Sequence, residues 1–214
     1  MTYYRLEHSL DLNIIGDYPQ VQSSIYPSDL NDIINHSEIQ RIENLSPIGV
    51  LSKKAKLTDL VSAVGKGYSL KLLVSNNLKI ILEKYAIKSE FISTMLTQGK
   101  KNFNDYFIID CNNDRTKNID FSKSKFSVNT RRIRIGNSTQ EISIGSYHEL
   151  EQAIEEAKKH RNRITIDVLA FPDNFEDHFF IIRKVKGGIG YYVSEELKSA
   201  IETSRCTGIK FTEV

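Results

Sequence analysis

The stretch Tyr191-Tyr-Val-Ser-Glu-Glu-Leu-Lys-Ser-Ala-Ile-Glu-Thr-Ser-Arg-Cys-Thr-Gly-Ile-Lys-Phe211 constrains the fold most, because its order predicts a strand, a capped helix, a stop and a final strand. The Ser194 hydroxyl can accept a hydrogen bond from an orphan amide of the first helical turn. Glu195 and Glu196 then sit where the helix dipole favours negative charge. Val193, Leu197, Ala200 and Ile201 form one apolar stripe. Gly208, which tolerates positive φ, is expected to stop the helix and turn the chain into Ile209 to Phe211.

An earlier stretch looks like a second copy. In Leu73-Val-Ser-Asn-Asn-Leu-Lys-Ile-Ile-Leu-Glu83, five residues (Val74, Ser75, Leu78, Lys79 and Glu83) match Val193, Ser194, Leu197, Lys198 and Glu202 at a constant spacing of 119 residues. A strand, a serine cap and a helix with one buried face are a common combination, so either internal duplication or convergence accounts for the match.

The chain of 214 residues is long enough for one sizeable core, and one continuous domain over residues 1–214 is expected, with two lobes of about 1–100 and 101–214 as a possible division. No apolar run approaches the roughly 20 residues of a membrane-spanning helix. The opening Met-Thr-Tyr-Tyr-Arg-Leu-Glu lacks the basic-then-apolar plan of a signal peptide, so a cytoplasmic protein without membrane partners is expected. Cys111 and Cys206 are too few for a disulfide framework or a zinc site of their own and read as buried free thiols.

The net charge of +2 argues against strong general affinity for nucleic acid, but the charge is segregated. Residues 1–50 carry two basic and seven acidic side chains, Asp29, Asp32 and Glu38 among the latter. Residues 111–135 carry seven basic and two acidic ones, including Arg131, Arg132 and Arg134. Two oppositely charged regions suit either a charged partner or internal pairing.

The remaining chain predicts an α+β fold: a mixed, mostly antiparallel sheet packed with amphipathic helices. Strands are expected at Tyr3 to Glu7, Ser69 to Val74, Phe91 to Met95, Asp105 to Asp110, Ser127 to Ile135, Gln140 to Ile144, Arg163 to Phe171 and His178 to Val185. Helices are expected within Asp29 to Leu45, over Lys56 to Val64, over Asn76 to Tyr85, and from a capping box at Ser146-Tyr-His-Glu149 to about His160. Asn13 to Pro27 reads as irregular surface chain. Gly187, Gly188 and Gly190 lie between two strands, which favours a hairpin over a phosphate-binding loop.

No catalytic motif emerges. Asp110, Asn112 and Asp114 begin a calcium-loop spacing, but Arg115 replaces the required glycine and Phe121 the closing carboxylate. Cys111 could pair with His148 or His178 only through folding. Neither a catalytic residue, a cofactor nor a metal ligand is assigned.

Three blocks carry a family resemblance: Tyr3-Tyr-Arg-Leu with Gly16 and Asp17; Asp105-Tyr-Phe-Ile-Ile-Asp-Cys leading to Asn118-Ile-Asp-Phe-Ser-Lys-Ser; and His178-Phe-Phe-Ile-Ile-Arg through Val193-Ser-Glu-Glu-Leu-Lys to Thr207-Gly-Ile-Lys-Phe. Together they resemble a family of bacterial immunity proteins from polymorphic toxin systems, first catalogued as a domain of unknown function. The Gly-rich hairpin at 186–190, Cys206 and the basic strand around Arg132 depart from that pattern. The resemblance implies a protein that neutralises a cognate toxin by direct contact and performs no reaction. Asp29, Asp32, Glu38, Arg131, Arg132 and Arg134 are then the candidates for partner contact. The alternatives are an enzyme or small-ligand protein with a pocket between sheet and helices, and a nucleic-acid-binding module using the three arginines.

Overall fold

The computed structural model describes residues 1–26, 46–86, 88–132 and 136–214, with the side chains of residues 131–137 outside the description. Its strands are β1 (Tyr3–His8), β2 (Val21–Ile25), β3 (Ile48–Leu51), β4 (Leu60–Val61), β5 (Leu72–Ser75), β6 (Ser89–Gln98), β7 (Lys101–Cys111), β8 (Lys125–Arg132), β9 (Gly136–Ile142), β10 (Arg163–Val168), β11 (Phe179–Val185), β12 (Gly188–Ser194) and β13 (Ile209–Glu213). Its helices are α1 (Leu12–Ile15), α2 (Asn76–Glu83), α3 (Tyr147–Lys159) and α4 (Glu195–Thr203).

The α+β class holds, with the strands divided between two mixed sheets. A seven-stranded sheet runs β13-β1-β12-β11-β10-β8-β9 and a six-stranded sheet runs β2-β3-β6-β7-β5-β4. All neighbours are antiparallel except β10 with β11 and β3 with β6. The possible division near residue 100 falls in the turn of the β6–β7 hairpin. One apolar cluster joins the sheets: Phe179, Ile181 and Val193 of the larger sheet pack with Leu72, Val74 and Ile109 of the smaller, and α2 and α4 add Leu78, Leu82, Leu197 and Ile201. On the other face of the larger sheet, Phe126, Ile164, Ile166, Phe180 and Ile182 pack against Leu150 and Ala157 of α3.

The two similar segments adopt the same structure. Ser75 and Ser194 have nearly identical backbone angles (φ −70°, ψ 165° and φ −71°, ψ 163°), and each side chain accepts from the amide three residues on, at 3.3 and 3.2 Å. The likeness extends beyond the matched residues. Val74 pairs with Leu60 on one side and Phe107 on the other, as Val193 pairs with Phe179 and Tyr4. Lys79 Nζ lies 4.9 Å from the Phe107 ring centre and 5.6 Å from that of Phe91; Lys198 Nζ lies 4.7 Å from Tyr4 and 6.0 Å from Phe211. The order β4-β5-β7-β6 thus recurs as β11-β12-β1-β13, with the N-terminal strand supplying the member that in the first copy follows the helix. A local strand–cap–helix convergence does not require the neighbouring strands and rings to match as well.

Several expectations are corrected. Lys56 to Val64 is not a helix: Leu60 and Val61 form β4, their side chains entering different cores, while Leu57 and Val64 stay exposed. Strand alternation, by pointing adjacent apolar residues to opposite faces, buries both here. Asn13 to Pro27, read as irregular, contains part of α1 and all of β2. The helix before Ile209 ends at Thr203, and the stop is made by Arg205 at φ 54°, whose amide donates to the Glu202 carbonyl. Gly208, at φ 79°, serves the turn into β13 instead; a Cβ there would lie 2.4 Å from the Leu60 carbonyl oxygen. In the capping box, Ser146 accepts from the Glu149 amide as expected, but the Glu149 carboxylate reaches the amide of Gly145, one residue earlier than the motif requires. The helix expected within Asp29 to Leu45 lies outside the described residues.

Candidate functional site: a cationic groove beside β10 and β11

The groove arises where the larger sheet is least continuous. β10 and β11 meet in parallel at one register pair, Ile166 with Val185. Farther back along β11 the edge is taken by another segment: Ile181 donates to the Asn113 carbonyl at 2.9 Å, Arg115 donates to the Ile181 carbonyl at 2.9 Å, and Arg183 donates from its amide to Thr116 Oγ1 at 2.8 Å. An open groove of about 1390 Å³ lies beside the one point where the two strands pair.

Two basic runs that are distant in sequence form its walls. Lys158, Arg161 and Arg163 come from the end of α3 and the start of β10; Arg183, Lys184 and Lys186 come from the β11–β12 hairpin. Among the described residues, Asp167 is the one carboxylate in the lining, and Asn129, Thr130, Thr139 and Thr165 supply neutral polar groups. Leu70, Ile154, Val185 and Ile189 provide apolar surface. Among the described residues, the lining contains no aromatic side chain.

Local backbone geometry holds the cations in place. Lys184, at φ 65°, is the extra residue of a bulge between the pairs Arg183–Ile189 and Val185–Gly188. Such a bulge bends the strand and re-aims its side chains. Arg161, at φ 57°, occupies the residue after the α3 cap, where glycine is usual; its amide donates to Lys158 and that of Asn162 to Ala157, closing the last carbonyls. Leu70 has φ 62°. Three of the five non-glycine residues with positive φ among the described residues therefore line this groove. Such backbone costs about 1–3 kcal/mol per residue and clusters at functional sites.

The charges are unequally neutralised. Arg183 Nε lies 2.6 Å from Asp114 Oδ2, and Lys158 pairs with Glu155. Among the described residues, no carboxylate pairs with Arg161, Arg163, Lys184 or Lys186. Arg5 donates to the Lys186 carbonyl at 2.7 Å and so ties the hairpin back to β1.

Of the residues singled out by sequence, Arg131 and Arg132 end β8, opposite Asn137 and Gly136. Their neighbour Thr130 lines the groove, but their side chains, and Arg134, Asp29, Asp32 and Glu38 altogether, lie outside the described residues. Sequence reasoning missed Arg161, Arg163, Lys184 and Lys186. Arg161-Asn-Arg163 and Arg183-Lys-Val-Lys186 are visible as basic runs, but only the β10–β11 pairing makes them neighbours.

Other polar groups have structural duties. The Cys111 thiol is buried, which pushes its pKa up, and it forms no dyad with His148 or His178, since His148 bonds Gln152 and His178 Nδ1 lies 2.8 Å from Ser194 Oγ. Ser194 is fully buried and caps α4, so the His178 pair presents no accessible nucleophile. Asp114, the fifth position of the calcium-like spacing, is engaged by Thr116 and Arg183. Among the described residues, no cluster of three or more potential metal ligands occurs, and no helix is long and apolar enough to cross a membrane. A smaller cleft of about 290 Å³ lies by the N-terminus of α3, lined by Phe121, Lys125, Glu141 and Glu149 among others.

No protein-family model matches the chain, and no curated protein matches it.

Proposed function

We propose that this is a cytoplasmic immunity protein that neutralises a cognate bacterial toxin by direct contact, without reaction chemistry of its own. The observation that carries the contact-protein reading is the groove: it is open, strongly cationic, and larger than the roughly 300–1,000 Å³ that small-molecule sites occupy. A toxin as the partner rests on the resemblance of the three sequence blocks. A rigid face that matches a partner in shape and charge is all such an inhibitor needs. Complementary charge contributes chiefly to encounter rate and specificity. The test is co-expression with the product of the gene immediately upstream, scoring survival and the recovery of a complex by size exclusion. Rescue with a one-to-one complex is expected. Rescue without a complex, or a harmless neighbour, contradicts the proposal and directs ligand screening to the clefts.

A further inference from the structure

We infer that the groove receives an extended, carboxylate-rich segment of the partner protein. The inference deepens the contact-protein reading and rests on it. Cations stand on both walls, Arg161 and Arg163 on one and Lys184 and Lys186 on the other, with no carboxylate paired to them among the described residues. Holding like charges around one space is unfavourable, and a polyanionic occupant relieves that repulsion. Both walls are used only by an occupant that lies between them.

The lining separates carboxylate from phosphate as the source of that charge. Single-stranded nucleic acid is gripped by aromatic platforms on which bases stack, and the described residues of this groove supply none. It offers instead the mixture that a peptide uses: the Asn162 side chain to meet amides, Ile189 and an exposed Leu70 to meet aliphatic side chains, and arginines whose paired N–H groups match a carboxylate. Asp167 adds an acceptor suited to a peptide amide and unsuited to a phosphate chain.

Fluorescence anisotropy on the full chain tests this with a labelled peptide of about ten residues alternating Glu and Val, which spans about 33–36 Å when extended. A matched peptide with Gln for Glu and single- and double-stranded oligonucleotides of similar length complete the set. The Glu peptide is expected to bind, with affinity falling as salt rises, and the Gln peptide to bind at least about tenfold more weakly. The double variant Arg163→Glu/Lys186→Glu should weaken the Glu peptide by about tenfold or more, while Lys100→Glu/Lys101→Glu at the β6–β7 turn leaves it unchanged. Equal binding of both peptides, an oligonucleotide that binds as tightly as the Glu peptide, no binding of any probe, or indifference to the groove variant overturns the inference. A Glu peptide that binds through the groove in a protein that rescues no cell contradicts immunity alone. A toxin neutralised equally by wild type and the groove variant contradicts the groove alone.

Discussion

Replacing Asp59 by Asn tests the account of how the two copies are joined. Asp59 precedes β4 and holds the first copy to the loop after α4. Its carboxylate accepts from Ser75 Oγ at 2.6 Å, Asn77 Nδ2 at 3.3 Å, and Thr207 N and Oγ1 at 2.8 and 3.1 Å. Burial pushes its pKa up, but these hydrogen bonds outweigh burial and hold it below the ordinary carboxylate value. Asn keeps the size but presents an NH2 group where two acceptor sites were. Hydrogen bonds to a charged group contribute about 1.5–3 kcal/mol each when buried. For a half-buried site losing two of them, a discounted cost of about 2–3 kcal/mol is expected, or roughly 4–12 °C in Tm for a chain of this size. Because the folded pKa is depressed, the stabilisation is present above the unfolded value of about 3.9 and is lost as pH falls through the folded value. Urea denaturation of wild type and variant should therefore show the full gap at pH 7 and a shrinking one below about pH 4. Equal stabilities at pH 7, or an undiminished gap in acid, would refute the reasoning. His178 holds the equivalent place in the second copy, and His178→Asn is expected to cost less, about 1 kcal/mol, because its ring makes one hydrogen bond, to Ser194 Oγ, where the Asp59 carboxylate accepts four.

Three further outcomes follow from the packing. Leu78→Ala and Leu197→Ala, at matching fully buried positions, should each cost about 2–5 kcal/mol in urea denaturation, and a clear difference in size would argue against equivalent environments. Gly208→Ala should destabilise by at least about 2 kcal/mol, since it combines positive φ with a Cβ pressed on the Leu60 carbonyl; a neutral result in thermal melts would refute that placement. His8 Nε2 is buried without a partner, and burial lowers the imidazole pKa, with the Val61 backbone and Glu7 opposing. Its contribution is therefore present above the unfolded value of about 6.5 and declines as pH falls below it. His8→Gln should remove that acid-side decline, read from midpoints at pH 7.5 and 5.5; an unchanged decline would assign it to other groups.

The sequence was most legible where local chemistry and tertiary packing agree. Ser75, Ser146 and Ser194 cap helices because the residue that can accept the third amide is also the residue where the chain turns, and the apolar stripes behind them point to the same cores. Legibility failed at Leu57-Thr-Asp-Leu-Val-Ser-Ala-Val64, where apolar residues at helical spacing fit a helix locally. Pairing of Leu60 with Val74 and Val61 with Leu73, a non-local interaction, decided otherwise. The Gly208 stop misled for a related reason, since Arg205 took the left-handed position and left the glycine to a close approach with Leu60. The groove was the least legible feature. Its six cations come from α3, β10, β11 and the turns that flank them, and they become one surface only because β10 pairs in parallel with β11. The basic strand around Arg132 drew attention first because its charges are contiguous in sequence.

Amide hydrogen exchange on the purified complex with the co-expressed partner tests the central claim most directly, because it reads the contact face without substitution. The account predicts new protection over residues 161–168 and 183–189, the two walls of the groove, on adding the partner. A stable complex in which those segments exchange as in the free protein, with protection gained elsewhere, would contradict it.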